Sequence, residues 1–210
     1  DFEIISPHGE TVFSEKRAIF ESIIKITADI PNAQLWFPTG YGEQPLYKLK
    51  ITVNGKESIT EFGIRKVDIL EIDDNFNPEY KAKAEKLKKN PHLLENDRND
   101  KTSSFWLVIN GVRIFCQGGN WVPCDPFVSE ETDEKIKSLV QSAHECGCNM
   151  LRVWGGGVFE KDSFYSECDR LGILVTQDFL MACGTYPEDD KDFIDKLSRE
   201  TAAAAVRLRN

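Results

Sequence analysis

The apolar positions of this chain change period near residue 105, and the change divides the sequence in two. Before residue 70 the runs are β-branched or alternating: Ile19, Phe20, Ile23, Ile24 and Ile26 within residues 18–30, then Leu46, Leu49, Ile51 and Val53, then residues 59–69. Such runs predict strands, because branched side chains fit a pleated surface and alternate between its faces. Asn54-Gly55 between the last two is the strongest short hairpin signal, and residues 38–45, Pro-Thr-Gly-Tyr-Gly-Glu-Gln-Pro, form a turn-rich connector. Residues 1–70 therefore predict a small antiparallel β-sandwich, with its N-terminal strands missing.

Residues 71–104 differ in kind. They are polar and crowded with charge over residues 81–89, with Pro78 placed to start a short helix that fades at Asn90-Pro91. The stretch predicts a solvated connector without chemistry.

From residue 105 a new rhythm begins. Residues 105–109 and 112–115 flank Asn110-Gly111, a second hairpin signal. A strand over residues 114–117 leads into a loop over 118–129. Residues 132–146 carry Ile136, Leu139, Val140 and Ala143 at helical spacing. A strand at 150–154, a helix at 162–171, a strand at 173–175 and a long helix at 190–208 follow. Strand and helix in alternation predict a parallel α/β unit, and both a doubly wound sheet and a (β/α)8 barrel fit.

The candidate chemistry lies after the strands. Asn149-Met-Leu-Arg-Val-Trp-Gly-Gly-Gly157 is a short apolar run that ends in an aromatic and three glycines. The glycines either let another molecule approach the main chain or serve only a tight turn. Gly118-Gly119-Asn120-Trp121 and Gln177-Asp178-Phe179 follow the other two strands, and barrel enzymes build their sites at such strand ends. No glycine-rich phosphate loop follows any strand, which disfavours nucleotides. Trp with Asn, Arg and Asp suits a sugar: aromatic faces cover C–H surfaces while polar groups hold hydroxyls.

Composition narrows the classes further. The chain is 40% hydrophobic and 29% charged, with a net charge of -9 and only 26 basic residues in no stripe, so nucleic acid is not an expected partner. No apolar run approaches the roughly 20 residues of a membrane span. Six cysteines (116, 124, 146, 148, 168 and 183) stand without a CxxC or a regular framework. They predict reduced thiols, mostly small buried hydrophobes. A cytoplasmic, bacterial-type protein is expected, with a secreted one as the alternative because the termini are missing. His8, His92 and His144 are scattered, and neither a metal site nor a cofactor is expected.

Residues 105–210 resemble the catalytic barrel of β-mannosidases in glycoside hydrolase family 2. The matching stretches are Ile109-Asn-Gly-Val112, Gly119-Asn-Trp-Val-Pro123, residues 149–157, Cys168-Asp-Arg-Leu-Gly-Ile173 and Gln177-Asp-Phe179. Gln34-Leu-Trp-Phe-Pro38, Gly40-Tyr-Gly42 and Gln44-Pro-Leu-Tyr47 resemble the immunoglobulin-like domain that precedes that barrel. The Arg-Val-Trp-Gly-Gly-Gly run separates this group from its β-galactosidase and β-glucuronidase relatives. Two positions depart from the pattern: Thr176 stands where many members have Trp, and Gln117 where Lys is common.

The resemblance implies an immunoglobulin-like sandwich (residues 1–70, partial), the connector, and the first three to four β/α units of a TIM barrel (residues 105–210). It implies a retaining exo-glycosidase that releases terminal β-D-mannose. Its acid/base and nucleophile glutamates are expected beyond Asn210; Glu160, Glu167, Glu188 and Glu200 match no catalytic motif, and the chain by itself is expected to be inactive. Trp154 resembles the aromatic beside the mannosyl ring. Asp178 hydrogen-bonds a hydroxyl or orients a neighbour. Arg152 enters the barrel layer or pairs with an acid, Asp178 being the obvious one. Asn120 and Trp121 line the site, or Trp121 is loop packing. An exo-β-glucosaminidase, an endo-β-mannosidase on the N-glycan core and a non-catalytic carbohydrate-binding scaffold are the alternatives.

Overall fold

A computed structural model describes residues 1–21, 23–73 and 103–209. The connector helix expected at Pro78 lies outside the described residues. The chain forms two compact units: Asp1–Arg65 with Cys116–Asn210, and Lys66–Phe115.

In the first unit, β1 (Phe2–Ile5), β2 (Thr11–Glu15), β3 (Leu46–Val53) and β4 (Lys56–Gly63) make an antiparallel sheet in the order β2-β1-β3-β4. Asn54 and Gly55 join β3 to β4 with φ of 49° and 76°, both left-handed, which places the two central residues where a type I′ hairpin needs them. The strand expected over residues 18–30 does not form among the described residues. Ile19, Phe20 and Ile23 are instead 48%, 92% and 73% exposed. A β-branched run prefers a sheet only when a neighbouring strand supplies hydrogen bonds and cross-strand contacts, and here no ladder includes it. β1 and β2, too short to show an alternating run, complete the sheet, β2 at its edge and β1 between β2 and β3.

The second unit is a three-stranded antiparallel sheet, β5 (Val67–Asp73), β6 (Ser103–Ile109) and β7 (Val112–Ile114), in the order β5-β6-β7. The run read as one strand over residues 59–69 is thus two strands. It breaks at Gly63, where a Cβ would lie 2.8 Å from Trp36 Cβ, and resumes at Val67 opposite Ile109. The Asn110-Gly111 hairpin forms as expected (φ 51° and 83°), but its ladder is with β5 rather than with the α/β segment.

The remainder of the first unit holds a parallel sheet of β8 (Gly118–Trp121), β9 (Met150–Val153) and β10 (Leu174–Gln177), in the order β10-β9-β8. Three helices follow these strands: α1 (Asp133–Glu145), α2 (Asp162–Leu171) and α3 (Lys191–Leu208). Their ends follow from local chemistry. Thr132 Oγ1 accepts from Lys135 N (3.2 Å), Asp190 accepts from Asp192 N and Phe193 N (2.9 and 3.2 Å), and Gly172 closes α2 at φ 73°. The first parallel strand lies at 118–121, not at 114–117. Two glycines and an asparagine have poor strand propensity, yet they pair with Met150, Leu151 and Arg152 in register.

One face of this sheet is the core. Trp121, Leu151, Val153 and Ile173 pack against Ile136 and Val140 of α1 and against Phe164, Cys168 and Leu171 of α2. At about 25 cal/mol per Å² of apolar surface, this burial is the principal stabilising term for the α/β segment. Cys168 is the buried thiol that was expected, whereas Cys146 and Cys183 are exposed. A loop from the antiparallel half is fastened to the end of α2. Trp36, 2% exposed, donates from Nε1 to Asp169 O (2.8 Å), and Thr39 N donates to Gly172 O (2.8 Å).

Candidate sugar-binding site

Register decides which side chains meet. Asn120, Arg152 and Thr176 are partners on one rung, and Trp121, Val153 and Gln177 on the next. Because side chains alternate along a strand, the first rung faces away from the helices and the second faces them. The site is built on the first rung and on the chain just beyond it.

Arg152 is its centre. The guanidinium grips Asp178 with two parallel bonds, Nη2 to Oδ2 at 2.6 Å and Nε to Oδ1 at 3.2 Å, and Nη1 reaches Asn120 Oδ1 at 3.2 Å. Gly155 N adds a bond to Asp178 Oδ2 at 3.2 Å. A planar fork that meets a carboxylate in this way fixes the orientation of both groups. The Arg152–Asp178 pair expected from the sequence is present, but it is not buried: the two side chains are 47% and 26% exposed. So exposed a pair adds little stability; it presents a positioned row of donors and acceptors.

Trp154 extends β9, its N–H bonded to Trp121 O at 3.0 Å. The indole folds back over Gly156, where any Cβ would land on its ring carbons. The other two glycines are also filled by the chain itself. A Cβ on Gly155 would meet Phe179 O at 2.6 Å, and one on Gly157 would meet Pro123 Cδ at 2.9 Å. A side chain at any of the three would collide with the chain itself, so internal packing alone is enough to require glycine here. A cleft of about 390 Å³ runs beside them, lined by Pro123, Asp125, Pro126, Val128 and Val158. A larger hollow of about 720 Å³ lies at Arg17–Lys25. It has no convergent polar groups fixed by strands, and the strand-end cluster is the better candidate.

Trp121 does not line the site. It is 8% exposed, packs on Phe164 with centroids 4.7 Å apart, and donates Nε1–H to Glu160 Oε1 at 2.9 Å. Its position on the helix-facing rung made this unavoidable once β8 began at Gly118. Glu160 is 2% exposed, its Oε2 has no hydrogen-bond partner, and burial pushes its carboxyl above the usual range. Glu167 is instead held low by its hydrogen bonds from Arg170 (2.6 and 3.0 Å). Neither is at the strand-end cluster. Among the described residues no group of His, Cys, Asp and Glu could hold a metal ion, and no helix is long and apolar enough to cross a membrane.

One polar pair has almost no trace in the sequence. Tyr165 of α2 donates to Gln177 Oε1 (2.6 Å), and Gln177 Nε2 donates to Asp178 O (2.9 Å). The only signal was an amide at a position that β9 and β8 fill with Val153 and Trp121.

Comparison with known proteins places this arrangement. No family model matches the chain. β-Mannosidase B of Aspergillus flavus is 32% identical over 212 residues, which is 99% of this chain and 22% of that protein. β-Mannosidase of Bos taurus is 36% identical over 178 residues, 84% of this chain and 18% of that protein. The crystal structure of a β-D-mannosidase from Dictyoglomus thermophilum superposes over the whole chain with a TM-score of 0.79 at 34% identity, and the chain covers 24% of it. A β-glucuronidase from Bacteroides uniformis shares the fold alone, with a TM-score of 0.72 at 19% identity over the whole chain. The chain thus spans about a fifth of the length of the curated relatives it matches. With similarity to β-mannosidases in sequence and in fold over its full extent, this chain matches one segment of the β-mannosidases of glycoside hydrolase family 2.

Proposed function

We propose that the full-length protein carrying this chain is a retaining exo-glycosidase that releases terminal, non-reducing β-D-mannose. The observation that carries the reading is the Arg152–Asp178–Asn120 cluster at the ends of parallel strands, in a chain whose relatives are β-mannosidases. A neutral sugar offers hydroxyls that both donate and accept. Arg152 supplies N–H donors, Asp178 carboxylate acceptors and Asn120 an amide with both. Trp154 supplies an apolar face for the ring's C–H surface. In this reading the four-stranded sheet contributes to an immunoglobulin-like sandwich, and β8, β9 and β10 with their helices begin a (β/α)8 barrel.

Retention requires two carboxyl groups about 5–5.5 Å apart, one attacking the anomeric carbon and one exchanging a proton with the leaving oxygen. Asp178 is already committed to Arg152, and Glu160 and Glu167 are on the helix side. As the family resemblance implies, both catalytic glutamates are assigned to the polypeptide beyond Asn210, and residues 1–210 alone are expected to turn over no β-mannoside.

The test is a comparison of kcat/KM for p-nitrophenyl β-D-mannoside and the corresponding β-glucosaminide on the full-length protein. The expected preference for the mannoside is at least about 100-fold, because a site that hydrogen-bonds one configuration leaves buried groups unpaired with the other. Equal or reversed preference identifies an exo-glucosaminidase, and turnover of neither identifies a binding scaffold.

A further inference from the structure

We propose that Gln177, backed by Tyr165, is a positioning pair for this reaction: it fixes the main chain of Asp178, and through Asp178 the Arg152 fork. The proposal rests on the reading of Asp178 and Arg152 as sugar-binding groups and goes one layer behind them.

Gln177 occupies the helix-facing rung with Val153 and Trp121, a layer otherwise filled by apolar side chains. An amide there is costly unless both its ends are bonded. Both are. Asp178 O can only accept, so the NH2 group must point at it (2.9 Å), which leaves Oε1 for the Tyr165 hydroxyl (2.6 Å). Burial pushes the Tyr165 phenol up to about 12, so it remains a donor throughout the working range. Its ring is held by Phe164 edge to face at 5.1 Å and by the Arg207 guanidinium at 5.3 Å. Asp178 is consequently pinned at three points: N–H to Val153 O (3.0 Å), C=O to Gln177, and carboxylate to Arg152. The strand has ended at Gln177, so no further ladder bond would hold this residue. A substrate-orienting carboxylate needs such a support to stay within a fraction of an ångström of its working position.

The experiment uses the full-length protein and an aryl β-D-mannoside. Asp178→Asn, Gln177→Leu, Tyr165→Phe and the Gln177→Leu/Tyr165→Phe double variant are compared with wild type, each corrected for its folded fraction. Gln177→Leu is expected to lower kcat about 10-fold to 100-fold with KM changed less than about twofold, the signature of a bound sugar held in the wrong place. Tyr165→Phe keeps the ring contacts and loses one neutral hydrogen bond, for about a 2-fold to 10-fold fall in kcat. The double variant is expected to match Gln177→Leu alone, because the hydroxyl acts only through the amide. A purely structural pair would lower the melting temperature, leave kcat per folded molecule intact and show additive losses. If Asp178→Asn loses activity while Tyr165→Phe and Gln177→Leu stay within twofold, the pair is not a positioning device. Should Gln177→Leu fail to fold, an unchanged kcat in Tyr165→Phe alone overturns the proposal. If Asp178→Asn is itself unaffected, the sugar-site reading has failed, and this proposal with it.

Discussion

Gly118→Ala lowers the melting temperature of the α/β segment by about 6–12 °C, while Gly119→Ala, one residue on, leaves it within about 2 °C. The contrast is a matter of backbone approach. A Cβ on Gly118 would land on the carbonyl oxygen of Met150, its partner across the parallel ladder, whereas a Cβ on Gly119 meets nothing within 4 Å. Backbone cannot rotate aside as a side chain can, so β8 has to part from β9 at its first rung. About 3 kcal/mol is the upper range for forcing atoms into filled space. The rung that opens lies two below that of Asn120 and Arg152, on the same face, so the variant also loosens the alignment of those two. Thermal unfolding of the two variants side by side checks it; equal melting temperatures would show that the strand does not begin where the register places it.

Gly118 also shows why part of this fold was hidden in its sequence. Where conformation is decided within a few residues, the chain is legible. Asn54-Gly55 and Asn110-Gly111 made the expected turns, and α1, α2 and α3 lie within a residue of the spans 132–146, 162–171 and 190–208 that their sequence predicted. β8 is decided elsewhere, by the backbone of Met150 to Val153 offering a ladder 32 residues away. Residues 18–30 show the converse, with high strand propensity and no ladder to join. In the site, Arg152 and Asp178 could be paired from charge and strand ends alone. The placement of Trp121 could not, because it depended on a register that begins four residues later than the apolar pattern suggests. The fastening of Trp36 to Asp169 spans 133 positions and left no local trace.

The second large effect is on activity. Gly156→Ala in the full-length protein lowers kcat/KM on a β-mannoside about 10-fold to 100-fold. The new methyl group would occupy the space of the Trp154 indole ring carbons, so the indole must swing off its present position. Trp154→Ala removes the same face outright and is expected to cost about as much. Combining the two is the informative arrangement. With the indole gone, the methyl group has nothing to displace, so the double variant should be no worse than Trp154→Ala. Independent, multiplying losses would mean that Gly156 acts on something other than the tryptophan.

The most direct measurement is a crystal structure of the full-length protein with β-mannose or a non-hydrolysable β-mannoside bound. The sugar ring is expected within about 4 Å of the Trp154 indole, with its hydroxyls about 3 Å from Arg152 or Asp178. A mannosyl ring seated where it touches none of Trp154, Arg152, Asp178 and Asn120 would contradict the assignment of this strand-end cluster as the sugar site.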